Sequence, residues 1–198
     1  MNSAMNRDWF DLSYLQLGTR RQKDAFHVLD SLGIFAKLGA YHPVLAGTIP
    51  LDIDVDTSDL DLIFFAEDLD RFEQIVKEEY GHLDHFAQAR SEVHQVPTSI
   101  TSFLHRNFWL ELFAQPVPVT RQNAYRHMVI EAKLLELAGH QAAQDIRALK
   151  ERGMKTEPAF AYYFRLPGKD PYLSLLDVEM KTEEEWRQLV NKRRKHLE

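Results

Sequence analysis

The stretch of sequence that decides the fold is GTIPLDIDVDTSDLDLIFF, residues 47–65, which places five aspartates among aliphatic residues. Its second half has the apolar character of a buried strand, and side chains two positions apart in a strand point to the same face. We therefore expect Asp59 and Asp61 to project side by side, whereas Leu60 and Leu62 face the core. Because an unpaired carboxylate is costly to remove from water, such groups normally become protonated, pair with a cation or bind metal.

A third carboxylate lies in another apolar stretch. Glu111 stands at the centre of NFWLELFAQ, residues 107–115, and a glutamate there must face a cavity, an ion or a cationic partner. If this strand lies beside the first one, the side chains of Asp59, Asp61 and Glu111 converge. Neighbouring carboxylates raise each other's pKa, and a divalent cation removes that repulsion. Hard oxygen ligands suit Mg²⁺ or Mn²⁺, so the pattern predicts a two-metal site for phosphoryl transfer.

Each of these carboxylates also has a purely structural explanation. Asp59 and Asp61 could lie at a solvated strand end, with the serine before them acting as a turn cap. Glu111 could form a buried ion pair with an arginine such as Arg106 or Arg126. The spacing of the acids alone leaves these alternatives open.

A phosphate-binding element is predicted just upstream of the aspartates. Gly47 and Thr48 follow the apolar run at residues 43–46, which has the pattern of a short buried strand. A glycine lets the backbone approach a phosphate closely, and a hydroxyl together with free amides can hold the phosphate oxygens. Near Gly47 the sequence shows no dense basic cluster for a triphosphate. Arg20 and Arg21 are candidates for that role, or they are solvated.

Other residues allow both a functional and a structural interpretation. The sequence LDIDV, residues 51–55, alternates apolar and acidic residues, as the solvated face of a half-exposed strand or an ordered loop would. Trp109 should share the face of Glu111, where it could stack a base or pack in the core. His127 and Glu131 are four residues apart in a predicted helix, so they either lie near a nucleotide or form a local helix pair.

The order of these motifs resembles the signature of the nucleotidyltransferase fold, the superfamily related to DNA polymerase beta. In that signature a Gly-Ser pair precedes a short insert, an Asp-x-Asp motif on one strand and an acidic residue on a later strand. Threonine replaces the serine here but keeps the hydroxyl. The matching residues are, for nucleotide binding, Gly47, Thr48 and Ser58 and, for metal binding and catalysis, Asp59, Asp61 and Glu111.

The resemblance implies a reaction as well as a fold. Asp59 and Asp61 would bind Mg²⁺ or Mn²⁺ bridging the triphosphate of an NTP donor, and Gly47 and Thr48 would hold the outer phosphates. Glu111 would complete the second metal site or accept the proton of an acceptor hydroxyl. The acceptor oxygen would attack the α-phosphorus and release pyrophosphate, mostly through positioning and charge neutralisation.

The acceptor of such a reaction is left open by the sequence. It could be a small molecule, an RNA end or a protein side chain. A non-catalytic module that binds a nucleotide or a partner on the same fold, and a metal-dependent phosphohydrolase acting with water, remain the alternatives.

Several segments also resemble a narrower family of bacterial proteins known as DUF4269, to which no reaction is assigned. The resemblance covers roughly residues 15 to 177. It is carried by the segments GTIPLDID with SDLDL, ELFAQPVPV, QNAYRHMVIE, KTEPAFA and DPYLSLL.

Composition limits the remaining functional classes. The 198 residues suffice for one domain, or for one domain with a helical appendage. A net charge of −6 disfavours broad DNA binding. The absence of cysteine excludes disulfides, thiolate zinc sites and cysteine nucleophiles, and it fits a reducing cytoplasm. No run of about 18 apolar residues and no signal peptide is present, so we expect a cytoplasmic protein without a membrane span.

The periodicities together predict an α+β fold. A mixed β-sheet flanked by helices, nucleotidyltransferase-like by resemblance, is expected over residues 1–117, and an α-helical C-terminal part over residues 118–198, in one compact domain or two. The long helix of this second part is expected to begin after Thr120, acting as its N-cap, and to end at Gly139.

Overall fold

A computed structural model describes residues 7–194 of the chain, with side chains described as far as Asn191. The strands are β1 (Val44–Ala46), β2 (Leu60–Phe65), β3 (Asp84–Val93), β4 (Val96–His105) and β5 (Phe108–Gln115). The first four helices are α1 (Ser13–Gln16), α2 (Arg20–Leu32), α3 (Ile34–Lys37) and α4 (Leu69–Tyr80). The later helices are α5 (Asn123–Ala138), α6 (His140–Glu151), α7 (Thr156–Phe164), α8 (Pro171–Leu176) and α9 (Glu183–Arg194).

The strands form one five-stranded mixed sheet in the order β1-β2-β5-β4-β3. β2 and β5 run parallel, and the other neighbouring pairs run antiparallel. The parallel pairing places the strand of Glu111 directly beside the strand of Asp61, as the convergence of the carboxylates requires. The predicted α+β class with a mixed sheet and flanking helices is confirmed.

Local sequence signals explain where the helices that cover the sheet begin and end. Thr19 and Gln22 form a reciprocal capping box at the start of α2, which satisfies amides that the first turn leaves without partners. Gly33 ends α2 in the left-handed conformation at φ 66°. The Asp68 side chain accepts a hydrogen bond from the amide of Arg71 and so caps α4.

The described chain divides into two compact units. One, called here the sheet unit, comprises Asp8–Pro50 and Thr57–Tyr125. The other, called here the helical unit, comprises Arg7, Leu51–Asp56 and residues 126–194 of the described chain. A single boundary after residue 117 is expected from the sequence, whereas this division falls within α5 and places a short internal segment in the helical unit.

Each unit has its own hydrophobic core. In the sheet unit, Leu62 and Phe64 of β2 pack with buried residues of the first helices and of α4, and the rings of Phe64 and Phe72 lie 5.1 Å apart. Leu60 and Leu62 are fully buried, which confirms the predicted core-facing side of β2. In the helical unit, Ile53 of the internal segment is fully buried in a cluster built mostly from α5 to α9.

The long helix begins two residues later than predicted. Val119–Arg121 form a separate 3₁₀ turn, and α5 begins only at Asn123. Gln122 interrupts the helical path with an extended backbone, and its buried side-chain amide donates hydrogen bonds of 2.8 Å to the carbonyls of Phe64 and Val117. These tertiary hydrogen bonds outweigh the helix propensity of the preceding residues.

Candidate active site

The sheet register brings Asp61 and Glu111 together. They are register partners on the parallel strands β2 and β5, so their side chains share one face of the sheet. Neighbouring strands lie about 4.8 Å apart, which keeps the two carboxylates within reach of one ligand. Asp59 immediately precedes β2 and lies exposed, close enough that its charge acts on Glu111.

The electrostatics of Glu111 identify it as an acid without a balancing cation. Its pKa is raised, first because burial penalises the charged form and second because the negative charge of Asp59 lies nearby. Among the side chains described, residues 7–191, no arginine pairs with Glu111, and the side chain of Arg126 instead bonds to Glu179 at 2.6 Å. The ion pair that the sequence left open for Glu111 is therefore not formed.

Gly47 lies directly against the carboxylate of Asp61. Its φ of 75° falls in the left-handed region, and a Cβ at this position would collide with Asp61 Oδ2. Both facts require a glycine here. The residue predicted to let the backbone approach a phosphate is thus next to one of the predicted metal ligands.

The hydroxyl residues of the two motifs meet across the intervening segment. Thr48 Oγ1 lies 3.3 Å from Ser58 Oγ, in hydrogen-bonding distance, and Thr48 is buried. Arg21 Nη2 donates to the Ser58 carbonyl at 3.1 Å, and its guanidinium lies 3.9 Å above the ring of Phe108. Arg20, by contrast, is 96% exposed beside Asp24. Of the two candidate arginines, therefore, Arg21 belongs to this site and Arg20 is solvated.

A divalent cation fits the donor set by its chemistry, since Asp59, Asp61 and Glu111 offer hard oxygens, and Asp61 and Glu111 share one face of the sheet. Their arrangement nevertheless does not form a complete centre. Among the described side chains, no group of three or more His, Asp or Glu is placed so that it could hold a metal ion together.

Trp109 lies two residues before Glu111 and on the same face of the sheet. Its ring is 48% exposed, so the core-packing alternative is wrong. The ring centroids of Trp109 and His85 are 5.4 Å apart. The place of His85 depends on an irregularity in the β3–β4 pairing, which local sequence patterns do not predict.

His127 and Glu131 are part of the helical unit and form a local cluster there. His127 Nδ1 lies 3.4 Å from Glu157 Oε1, and its Nε2 lies 3.1 Å from the carbonyl of Tyr172. Glu131 is only 2% exposed, and burial raises its pKa well above the ordinary value, with the charge of Glu157 acting in the same direction. His127 and Glu131 thus share Glu157 as a neighbour, and the direct contacts of His127 are with Glu157 and Tyr172.

The segment Leu51–Asp56 is neither a strand nor a freely solvated face. Arg147 Nη2 bonds to the carboxylate of Asp52 at 3.0 Å and to its carbonyl, and Arg147 Nε donates to the Asp54 carbonyl at 3.2 Å. Lys150 Nζ donates to the Ile53 carbonyl at 3.0 Å. These two cations of α6 are spaced about one helical turn apart, which is only a weak sequence signal for such an anchor.

Solved structures share this architecture. The GLD-2/RNP-8 complex aligns with a TM-score of 0.52 and 13% identity over 81% of this chain and 66% of its own. The Cid1 poly(U) polymerase with MgGTP bound gives 0.52 and 13% over 84% and 54%, and Cid1 described for its RNA terminal uridylyl transferase activity gives 0.51 and 13% over 84% and 53%. This chain thus covers just under two thirds of the chain it matches in the GLD-2/RNP-8 complex and about half of Cid1. The shared architecture is the nucleotidyltransferase fold.

The family is defined more narrowly. The model of the family described as "Domain of unknown function (DUF4269)" matches residues 27–178, and the chain belongs to this family. The predicted resemblance is thereby confirmed. A search of curated proteins finds no match. Over residues 7–194, none of the helices has the length and apolar character needed to cross a lipid bilayer.

Proposed function

We propose that this protein is a metal-dependent nucleotidyltransferase that moves an NMP group from an NTP to a hydroxyl acceptor. The observation that carries the proposal is the pairing of Asp61 with Glu111 across β2 and β5, with Asp59 beside them and Gly47 under the Asp61 carboxylate. This set of carboxylates and a close backbone approach is what binding a charged phosphate chain requires. Cid1, a fold relative solved with MgGTP bound, supports an NTP as the donor.

Different residues of the site bind the donor and act on the acceptor. The backbone at Gly47 and the hydroxyl of Thr48 bind oxygens of the outer phosphates, while Arg21 fixes the backbone of Ser58 between the two motifs. Asp59, Asp61 and Glu111 would hold Mg²⁺ or Mn²⁺, which would supply charge neutralisation for the phosphates.

Glu111 is suited to handle the proton of the acceptor. The acceptor oxygen forms a bond to the α-phosphorus, and the bond from this phosphorus to the bridging oxygen of pyrophosphate breaks. The hydroxyl proton passes to the carboxylate of Glu111, which is half-buried near Asp59 on the strand beside Asp61. We place this activity in the cytoplasm, in line with the absence of cysteine.

Thermal denaturation with each of the four NTPs, combined with Mg²⁺, Mn²⁺ or a chelator, tests the donor site. A ligand at a hundred times its dissociation constant should stabilise the fold by about 2.7 kcal/mol. We expect a metal-dependent increase in melting temperature that is lost in Asp61→Asn. Asp56→Asn, a change at an exposed aspartate of the same stretch, is the matched control and should keep the increase. No increase with any NTP, or an equal increase in Asp61→Asn, would contradict the proposed site.

A further inference from the structure

An exposed tryptophan stands beside the candidate active site. Trp109 is 48% exposed, whereas the other two tryptophans, Trp9 and Trp186, are 4% and 3% exposed. The indole face offers a large, rigid apolar surface at a low cost in side-chain entropy, which makes exposed tryptophan a common contact for planar ligands. Trp109 is therefore a candidate contact for a planar ligand.

The geometry of β5 fixes the separation of Trp109 and Glu111. Trp109 and Glu111 are two residues apart on β5 and share a face, so their Cα atoms lie about 7 Å apart. The register partner of Trp109 on β4 is Leu104, which is only partly buried. The face around Trp109 is thus partly open on the side away from β2, with Leu104 as an apolar neighbour.

His85 completes the surface around Trp109 through an irregular backbone. It has a φ of 57°, in the left-handed region, within the register shift between Asp84 and Ala87. Such irregularities re-aim a side chain, and here the imidazole lies with its centroid 5.4 Å from the indole at an interplanar angle of 41°. The two rings present a bent aromatic surface.

We propose that Trp109 and His85 bind the planar base of a nucleoside-type acceptor, whose sugar hydroxyl then lies at Glu111. This inference rests on the proposed function and names its acceptor class. A nucleoside joins a flat base to a hydroxyl over a span comparable to the separation of Trp109 and Glu111. Stacking of a base on an aromatic ring tolerates different bases, since every base has a flat π-face.

The strand order separates acceptor from donor. Gly47 and Thr48 follow β1, whereas Trp109 and Glu111 lie on β5, and β2 with Asp61 stands between them. The phosphates of the NTP donor therefore bind on the β1 side of the carboxylates. The base that stacks on Trp109 is therefore part of the acceptor. A net charge of −6 favours a small acceptor over a long polyanion.

Equilibrium dialysis of the full chain with labelled adenosine or uridine, without metal or NTP, tests this inference. We expect both to bind, and Trp109→Leu to weaken binding about tenfold or more. Trp109→Phe, which keeps a flat ring, should restore most of the affinity, and ribose alone should not bind. Tyr162→Leu, a change at a 67% exposed aromatic of the helical unit, is the control and should bind as the wild type does. Unaltered melting temperatures show that the variants fold.

The outcomes separate this inference from the donor site. Absence of nucleoside binding in the wild type, or equal binding in Trp109→Leu, overturns the stacking surface even if the metal-dependent NTP shift is present. If the wild type shows no metal-dependent increase in melting temperature with any NTP, the proposed function is overturned. Nucleoside binding at Trp109 is measured separately and does not depend on that result. Trp109→Leu should keep the NTP shift, because the ring contacts only the acceptor.

Discussion

Glu111 in the sheet unit and Glu131 in the helical unit both have a carboxyl pKa raised mainly by burial. Their surroundings differ. Glu111 is half-buried, and the second cause of its shift is the exposed Asp59 beside it. Glu131 is 2% exposed, and its Oε1 has no hydrogen-bond partner among the described residues, with Glu157 and Lys150 as the charges that act on it.

The comparison shows that a perturbed carboxyl group becomes a candidate site only when a ligand can reach it. Glu111 shares a partly open sheet face with Trp109 and lies beside a second acid, so a cation or an acceptor can approach it. Glu131 is enclosed by the helical core, and we expect it to remain protonated and structural. The direction of a pKa shift alone would not have distinguished them.

The largest effect is expected at Glu111. Glu111→Gln removes the proton acceptor but keeps the shape of the side chain, so turnover should fall about 10²- to 10⁴-fold. The melting temperature without ligand should stay close to that of the wild type, since no arginine partner is stranded. Steady-state release of pyrophosphate measures the first quantity, and calorimetry measures the second.

Glu92→Gln, at an exposed position of β3, is the matched control for this variant and should leave turnover unaltered. A Glu111→Gln protein with normal turnover, or one that loses much of its stability, would place Glu111 in the same structural class as Glu131.

A smaller effect, visible in stability, is expected at Glu131. Above the ordinary glutamate pKa of 4.5, the unfolded chain has released the proton that the folded chain retains. The free energy of unfolding therefore falls as the pH rises from there towards the raised pKa, by up to about 1.4 kcal/mol per pH unit from this group. Glu131→Gln has no proton to release and should flatten this decline, as urea unfolding between pH 5 and about 8 would measure.

The exposed Glu136 on the same helix provides the control, and Glu136→Gln should keep the pH dependence of the wild type. An unaltered slope in Glu131→Gln would show that this carboxyl ionises freely, as a ligand-accessible group would.

The smallest effect is expected at Arg147, which holds the segment Leu51–Asp56 within the helical unit. Arg147→Met should lower the free energy of unfolding by about 1 kcal/mol, because it leaves carbonyls of this segment without their donor while the ion pair itself is partly solvated. Urea unfolding measures this, with Arg152→Met at an exposed neighbouring position as the reference. Equal stabilities of the two variants would mean that Ile53 alone anchors the segment.

Much of the sheet unit could be predicted from sequence because its signals are local. The capping box at Thr19, the glycine that ends α2 and the alternation through Leu60 and Leu62 each depend on neighbours in the chain. The adjacency of Asp61 and Glu111 followed from one assumption about strand pairing, which the register confirms. The sequence also predicted a close backbone approach at Gly47. The structure adds a second reason for glycine there, because a Cβ would collide with the Asp61 carboxylate.

Other features depend on distant residues and could not be predicted. The start of α5 is set in part by the hydrogen bond of Gln122 to the carbonyl of Phe64, 58 positions away in the chain. The anchoring of Leu51–Asp56 depends on Arg147, more than ninety positions away. Alternation of apolar and acidic residues suggested a solvated face there, and it could not show that Ile53 is buried in a different core.

The sequence by itself therefore determined most of the helices and strands, the core-facing side of β2 and the identity of the acids, because side-chain periodicity and capping act over a few residues. Only the tertiary structure decided which acid is accessible and which is enclosed. Glu111 and Glu131 each stand among apolar neighbours in the sequence, and their exposure is fixed by the elements that pack around them. Burial is a property of the assembled chain, and so is the chemistry that depends on it.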